Sequence, residues 1–202
     1  MAALGLLALS PLLLIAALAI VVTSPGSPLF RQVRVGKDGH LFGLFKLRSM
    51  RLDIDGPPLT ARVDSRVTPV GRWLRRTKID EIPQLWNVVV GDMALVGPRP
   101  EVPRYANLAD PRWRRVLEVR PGITDPLSIK LRDEEALMPG SAEERERFYV
   151  DTLLPMKLEG YLEYLSRRSP ASDLGVLWST LMAIVRPGPA PSREELLRRG
   201  RV

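Results

Sequence analysis

The first 22 residues, MAALGLLALSPLLLIAALAIVV, contain no charged side chain and are apolar apart from Ser10. A run of ~20 such residues is long enough to span a bilayer, so this end of the chain is a membrane segment or a cleaved signal peptide. The small residues Ala17 and Ala19 suit a signal peptide, but no basic stretch precedes the apolar run and no cysteine framework follows it. The nearest positive charges, Arg31, Arg34 and Lys37, lie on the far side, and the positive-inside rule puts that flank in the cytoplasm. Pro11 removes a backbone hydrogen bond from the middle of the run, and the hydroxyl of Ser10 can satisfy a carbonyl freed nearby. Both a kinked straight span and a hairpin that dips into one leaflet and returns are compatible with a Ser-Pro break.

With 202 residues, the chain has room for one modest domain beyond such an anchor. It has no cysteine and a single histidine, His40. Thiol nucleophiles, disulfides and Cys/His metal cages are excluded, and any catalysis falls mostly to carboxylates, lysines and arginines. A net charge of +7 and a pI near 10.2 imply an anionic partner, whether nucleic acid, an anionic lipid surface or a phosphorylated substrate.

Turn-rich punctuation follows the leader: Ser24-Pro-Gly-Ser-Pro28, Gly36-Lys-Asp-Gly39 and Asp55-Gly-Pro-Pro58. These predict a loop out of the membrane and two turns around a short strand over Leu41 to Lys46. From Val70 to Lys78, Trp73 and Leu74 stand among Arg72, Arg75, Arg76 and Lys78, the pattern of an interfacial amphipathic helix; an ordinary solvated helix with a buried tryptophan is the alternative. Apolar spacing predicts helices over Leu153 to Leu165 and Leu174 to Val185, separated by Ser169-Pro170. The expected class is a small mixed α/β body.

The segment from Lys78 to Pro100, KIDEIPQLWNVVVGDMALVGPRP, concentrates the chemistry. Pro83 is comfortable only in the first turn of a helix, so a helix is expected to begin at or just before Asp80. That would put Asp80 and Glu81 at a positive helix end, where carboxylates stay ionised and phosphates are attracted, although acidic residues also sit there simply as caps. Asp53-Ile-Asp55 has the Asp-x-Asp form that many nucleotide-sugar glycosyl transferases use to hold a metal. About fifty residues precede it, half of them anchor, which is too few for the nucleotide-binding half such enzymes require, and a turn is the ordinary explanation. Arg99 and Arg120 lie in Pro/Gly loops that can present a guanidinium to phosphate, although such arginines are often merely solvated. The chain contains no Walker loop, dinucleotide glycine fingerprint or RNA-binding aromatic motif.

Taken in order, Ser10-Pro11, SPGSPLFRQVRVGKDGHLFGLFKLRSM, TPVGRWLRRTKIDEIPQLWNVVVGDMALVGPRPE and VRPGIT resemble the bacterial sugar transferases known as small monotopic phosphoglycosyl transferases, from about Leu4 to Val185. The resemblance implies a re-entrant helix-break-helix anchor over residues 1–30, bent at Ser10-Pro11. It implies a phosphoglycosyl transferase domain with interfacial amphipathic helices over residues 31–186, at the cytoplasmic face of the inner membrane. Residues 187–202, Pro-rich and then charged, have no assigned role. The implied reaction passes a sugar-1-phosphate from a UDP-sugar to polyprenol phosphate, with Mg²⁺, giving polyprenol-diphosphate-sugar and UMP at the first membrane step of glycoconjugate or polysaccharide assembly.

Carried over by position, Asp80 is the nucleophile that forms an aspartyl-phosphosugar intermediate. Glu81 completes the dyad, its part in metal binding or proton handling left open, and both are expected metal ligands. Lys46, Arg48, Arg75, Arg99 and Arg120 fall on basic family positions and are expected to bind substrate, with Glu146 at an acidic position before Phe148-Tyr-Val-Asp151. Membrane lipid is an expected partner and nucleic acid is not.

Two departures bear on these expectations. The chain starts at MAALG, without the family's usual short basic stub. After VRPGIT the usual Gly-Trp-Ala-Gln-Val-Asn-Gly-Arg-Asn is replaced by Asp125-Pro-Leu-Ser-Ile-Lys-Leu-Arg132-Asp133-Glu-Glu135, resembling a subgroup with DPxSIKxRDEE before LPxKLExYLEY. Loops there are expected to line the sugar pocket, so the donor is left open. Two other classes stay in view: a metal-dependent glycosyl transferase using Asp53 and Asp55 and releasing UDP, and a non-catalytic membrane-anchored basic module whose binding would survive loss of Asp80 and would fall steeply with salt.

Overall fold

A computed structural model describes residues 2–54, 56, 59–61, 64–186 and 194–195. The expected tail, 187–202, lies almost wholly outside them, as does Asp55. The leader is one helix, α1 (Ala2–Thr23), running through Pro11 without interruption. Pro11 has no N–H to give the carbonyl four residues back, that of Leu7, and Ser10 Oγ donates to that same oxygen at 2.7 Å. The serine thus repairs the bond the proline removes.

After the exit loop, β1 (Leu29–Val35) and β2 (Leu41–Leu47) form an antiparallel hairpin with Leu29 opposite Leu47 and Val35 opposite Leu41. The second strand was expected; the first was not read from the sequence, because Phe30-Arg-Gln-Val33 lacks a clean alternation. The hairpin is pinned from outside: Asn87 of α3 (Gln84–Val90) accepts from the Phe45 N–H at 3.1 Å and donates to the Gly43 carbonyl at 2.8 Å. Met50 and Val67 bridge across the following excursion, which leads into α2 (Pro69–Thr77).

A second, two-stranded parallel sheet pairs β3 (Ala94–Val96) with β4 (Gly122–Thr124). It brings the Gly-Pro-Arg-Pro and Arg-Pro-Gly loops backbone to backbone: a Cβ on Gly122 would stand 2.1 Å from the Gly97 nitrogen, so only glycine fits. Helices α4 (Pro111–Leu117), α5 (Pro126–Lys130), α6 (Ala142–Phe148) and α7 (Leu154–Arg167) build the main core around Trp113, Leu127, Leu137, Leu153, Leu158 and Tyr161. A π-turn (Tyr149–Leu153) joins α6 to α7. The last helix, α8 (Pro170–Val185), starts from a Ser169–Ser172 capping box and packs Val176 on Val96 and Tyr164.

A smaller core ties the anchor to the body: Ala16 and Ile20 of α1 are buried with Leu47 and Leu74. At the other end of α1, a Cβ on Gly5 would meet Leu85 of α3 at 3.6 Å. The body therefore lines α1 over some fifteen residues, roughly 22 Å. On its other side Leu4, Leu7, Leu14, Ile15, Leu18 and Val22 are exposed. As the amphipathic pattern predicts, Leu74 of α2 is fully buried while Trp73 beside it is 52% exposed, which rules out the buried-tryptophan alternative.

Candidate active site

Helix α2 ends on Lys78, whose backbone is left-handed (φ 59°, ψ 15°). Such a conformation is ordinary for glycine and strained for lysine, and it turns the chain at once into a short 3₁₀ turn, Ile79–Glu81. This corrects the expected helix start: Asp80 and Glu81 lie on a separate turn between α2 and α3, and Pro83 precedes the first residue of α3. The turn sets the two carboxyls among Lys46 of β2, Lys78 and Arg99 of the Gly-Pro-Arg-Pro loop.

Glu81 is held on every side. Arg99 grips both its oxygens, at 2.8 and 3.0 Å, and Gln84 donates to it at 3.2 Å. Lys46 of β2 stands 3.8 Å away and Lys78 4.0 Å. Burial alone would raise this carboxyl, but Arg99, Lys46 and Lys78 outweigh it and hold Glu81 far below the usual range, permanently ionised. Burial lowers Lys46 to about 8 against the pull of Glu81, so this ammonium titrates within the working range of an enzyme.

Asp80 is the opposite case. It is buried, and its Oδ1 has no hydrogen-bond partner. Burial, and then the neighbouring Glu81 charge, push its carboxyl above the ordinary range, with Lys46, Lys78 and Arg75 pulling back. A buried carboxylate oxygen without a donor costs free energy, and sites where that cost is tolerated are candidates for chemistry. The same free oxygen makes Asp80 fit the expected Mg²⁺ ligand role. Glu81 is already engaged, with Arg99 on both of its oxygens. Among the described residues no group of three or more His, Asp or Glu side chains could hold a metal on its own, so a cation here would draw most of its ligands from substrate phosphates and water.

The other expected site residues divide. Lys46 and Arg99 are in the cluster. Arg75 reaches its edge, with Nε on Ser49 Oγ at 2.8 Å and Nη1 on Glu135 at 2.6 Å. Arg48 is not in the cleft: it is buried and donates to the Ser24 carbonyl at 2.5 Å, the Pro25 carbonyl at 2.7 Å and Ser24 Oγ, clamping the loop that leaves the membrane segment. Arg120 is exposed, with its guanidinium beside Gly91. Glu146 is held by Arg104 at 2.9 Å and by the Tyr105 hydroxyl at 2.6 Å, outside the cluster, because α6 carries it to the far side of the main core. Asp53 is exposed and paired with its neighbour Arg51, as an ordinary turn residue is.

Three members of the cleft went unread in the sequence. Lys78 is one, its left-handed backbone carrying no sequence mark. Gln84, fully buried, sits three residues after Glu81, a spacing that was legible. Glu135 was read only as part of a loop expected near the sugar; its pairing with Arg75, 60 residues away, had no local signal.

Residues 1–187 match the bacterial sugar transferase family. Among curated relatives, a UDP-glucose:undecaprenyl-phosphate glucose-1-phosphate transferase of Caulobacter vibrioides is 48% identical over 126 residues, 60% of this chain and 47% of that protein. The protein of the same name from Escherichia coli is 42% identical over 192 residues, 90% of this chain and 38% of its own length. A putative undecaprenyl-phosphate N-acetylgalactosaminyl 1-phosphate transferase of Bacillus subtilis is 45% identical over 106 residues, 52% of this chain and 59% of that protein. The chain therefore spans between 38% and 59% of the length of these relatives. With its acidic pair, its two interlocked Pro/Gly loops and its apolar leader matched in one continuous stretch, this chain belongs to the bacterial sugar transferase family.

Proposed function

We propose that this chain transfers a sugar-1-phosphate from a UDP-sugar to polyprenol phosphate through a covalent intermediate on Asp80. The observation that carries the proposal is the pairing of a buried Asp80 oxygen that has no donor with a Glu81 already saturated by cations. One carboxylate is free to act and the other fixes the positive groups around it. Relatives named for transfer of sugar phosphates to undecaprenyl phosphate support the reaction class.

In the first step an Asp80 oxygen attacks the sugar-linked phosphorus, the bond to the bridging oxygen breaks, and its electron pair leaves on UMP. In the second, an oxygen of polyprenol phosphate attacks the same phosphorus and the Asp80 carboxylate is expelled. An anionic nucleophile meets an anionic diphosphate, so the barrier is lowered chiefly by cations placed in advance. Lys46, Lys78 and Arg99 supply them here, and Glu81 keeps Arg99 and Lys46 converged so that they do not have to reorganise during reaction. A Mg²⁺ ion on Asp80 and the diphosphate would neutralise charge developing on the leaving UMP.

The membrane arrangement we propose is a re-entrant anchor with the body at the cytoplasmic face. A helix crossing a ~30 Å hydrocarbon layer would draw into it the arginine-bearing α2 that packs along α1. An α1 that stays within one leaflet leaves those arginines at the headgroups. The exposed tryptophans Trp73, Trp86 and Trp178 suit the same level.

The test incubates purified protein with Mg²⁺, undecaprenyl phosphate and a panel of UDP-sugars and identifies the nucleotide released. UMP from one donor, abolished by Asp80→Asn, is the expected result. Release of UDP overturns the proposal in favour of simple glycosyl transfer.

A further inference from the structure

Three charged side chains of the loop after α5 point in three directions. Arg132 donates to the Arg76 carbonyl at 3.1 Å and to the Ala183 carbonyl, tying the end of α2 to the end of α8. Glu134 turns inward to Lys157 at 3.1 Å. Glu135 turns the other way and reaches Arg75 Nη1 at 2.6 Å, while Ser49 holds Arg75 Nε in place. Arg75 and Lys78 are charge neighbours of both Glu135 and Asp80. Glu135 is therefore a third carboxylate beside the acidic pair, and it occupies a guanidinium that is also a charge neighbour of Asp80.

Exposure separates the two glutamate pairs. Lys157 and Glu134 are 9% and 29% exposed, whereas Arg75 and Glu135 are 23% and 46% exposed. The Glu134 pair is built into the core. The Glu135 pair is more open to solvent on its carboxylate side and cheaper to break, and Arg132 and Glu134 hold the loop on either side of it, so that breaking it needs only the Glu135 side chain to turn.

We propose that Glu135 stands in for the donor diphosphate: it neutralises Arg75 in the free enzyme and yields that guanidinium when a phosphate arrives. The inference rests on the phosphosugar-transfer reading above. A guanidinium accepts a carboxylate or a phosphate in the same fork, and the more highly charged phosphate displaces the carboxylate. Glu135 acts through Arg75, so it is a positioning residue whose presence sets donor affinity rather than the chemical step.

The experiment titrates UDP, with Mg²⁺, into the detergent-solubilised full chain and its variants by calorimetry. Glu135→Gln and Glu135→Ala should each bind UDP about three- to fivefold more tightly than wild type, with a gain that shrinks at high salt. With the UDP-sugar that wild type turns over, KM should fall by the same factor while kcat stays within about twofold. Glu134→Gln should lower the Tm and leave UDP affinity unimproved, which separates competition at Arg75 from general loosening of the loop. UDP binding that is unchanged or weaker in both Glu135 variants, at wild-type Tm, overturns the inference alone. Absence of UDP binding by wild type overturns it together with the reading on which it rests.

Discussion

Two buried charge networks lie close together in this molecule, and only one is finished. Behind the cleft, Arg34 pairs with Glu101, Glu101 accepts from the Tyr149 hydroxyl, and Lys157 joins Tyr149 to Glu134. None of these side chains has a buried polar atom left without a partner, and the network bridges the hairpin to α7. The Asp80–Glu81 cluster is likewise built on Glu, Lys and Arg but leaves Asp80 Oδ1 and Gln84 Oε1 unpaired. A satisfied network holds a fold together, whereas an unsatisfied one stores free energy that a substrate can release.

The contrast is broken most directly at Asp80. Asp80→Asn should lower sugar-phosphate transfer by at least about 10³-fold while leaving the Tm unchanged or slightly raised, because it removes a buried charge with no donor of its own. Steady-state rates and a thermal melt check both halves. Glu81→Gln should behave differently, costing at least about 10²-fold in rate and also about 2 kcal/mol of stability, since it strips Arg99 of its charged partner. Were Glu81→Gln as stable as wild type, the two carboxylates would not differ as argued.

Lys157→Met in the finished network should cost about 3 kcal/mol, seen as a Tm lower by about 8 °C, with kcat unchanged at temperatures where the variant is folded. A comparable loss of kcat would merge the two networks into one functional unit. The smallest effect is in pH dependence. The acid limb of kcat/KM should lie above the ordinary carboxylate range, because burial raises Asp80 and only its ionised form attacks. The alkaline limb should fall near 8, because Lys46 is protonated and useful below that value and neutral above it. Lys46→Arg should carry the alkaline limb upward by more than about one pH unit at a cost of about threefold near neutrality.

Much of the helical frame was legible where chemistry is local. Thr68-Pro69, Asp110-Pro111, Asp125-Pro126 and Ser169-Pro170 each place a capping oxygen before a proline, and each opens a helix, though only the last was used as a boundary. Pro11 was legible as a missing bond and Ser10 as its repair. The acidic pair, Lys46 and Arg99 were legible through motif order. Arg48 and Glu146 lie outside the cluster, and charge type in the sequence reveals nothing about direction: Arg48 faces three backbone carbonyls of the exit loop, and Glu146 faces a tyrosine. For Glu135 the loop was legible but the partner was not, because Arg75 lies 60 residues away.

The central claim is that Asp80 carries the phosphosugar. Incubating the full chain with Mg²⁺ and its UDP-sugar, but no polyprenol phosphate, and weighing the intact protein tests this directly. A mass gain of one sugar phosphate should appear, map to Asp80, be missing in Asp80→Asn, and be discharged by adding undecaprenyl phosphate. Product formation from donor and acceptor together, with no adduct on the protein at any time, would contradict it.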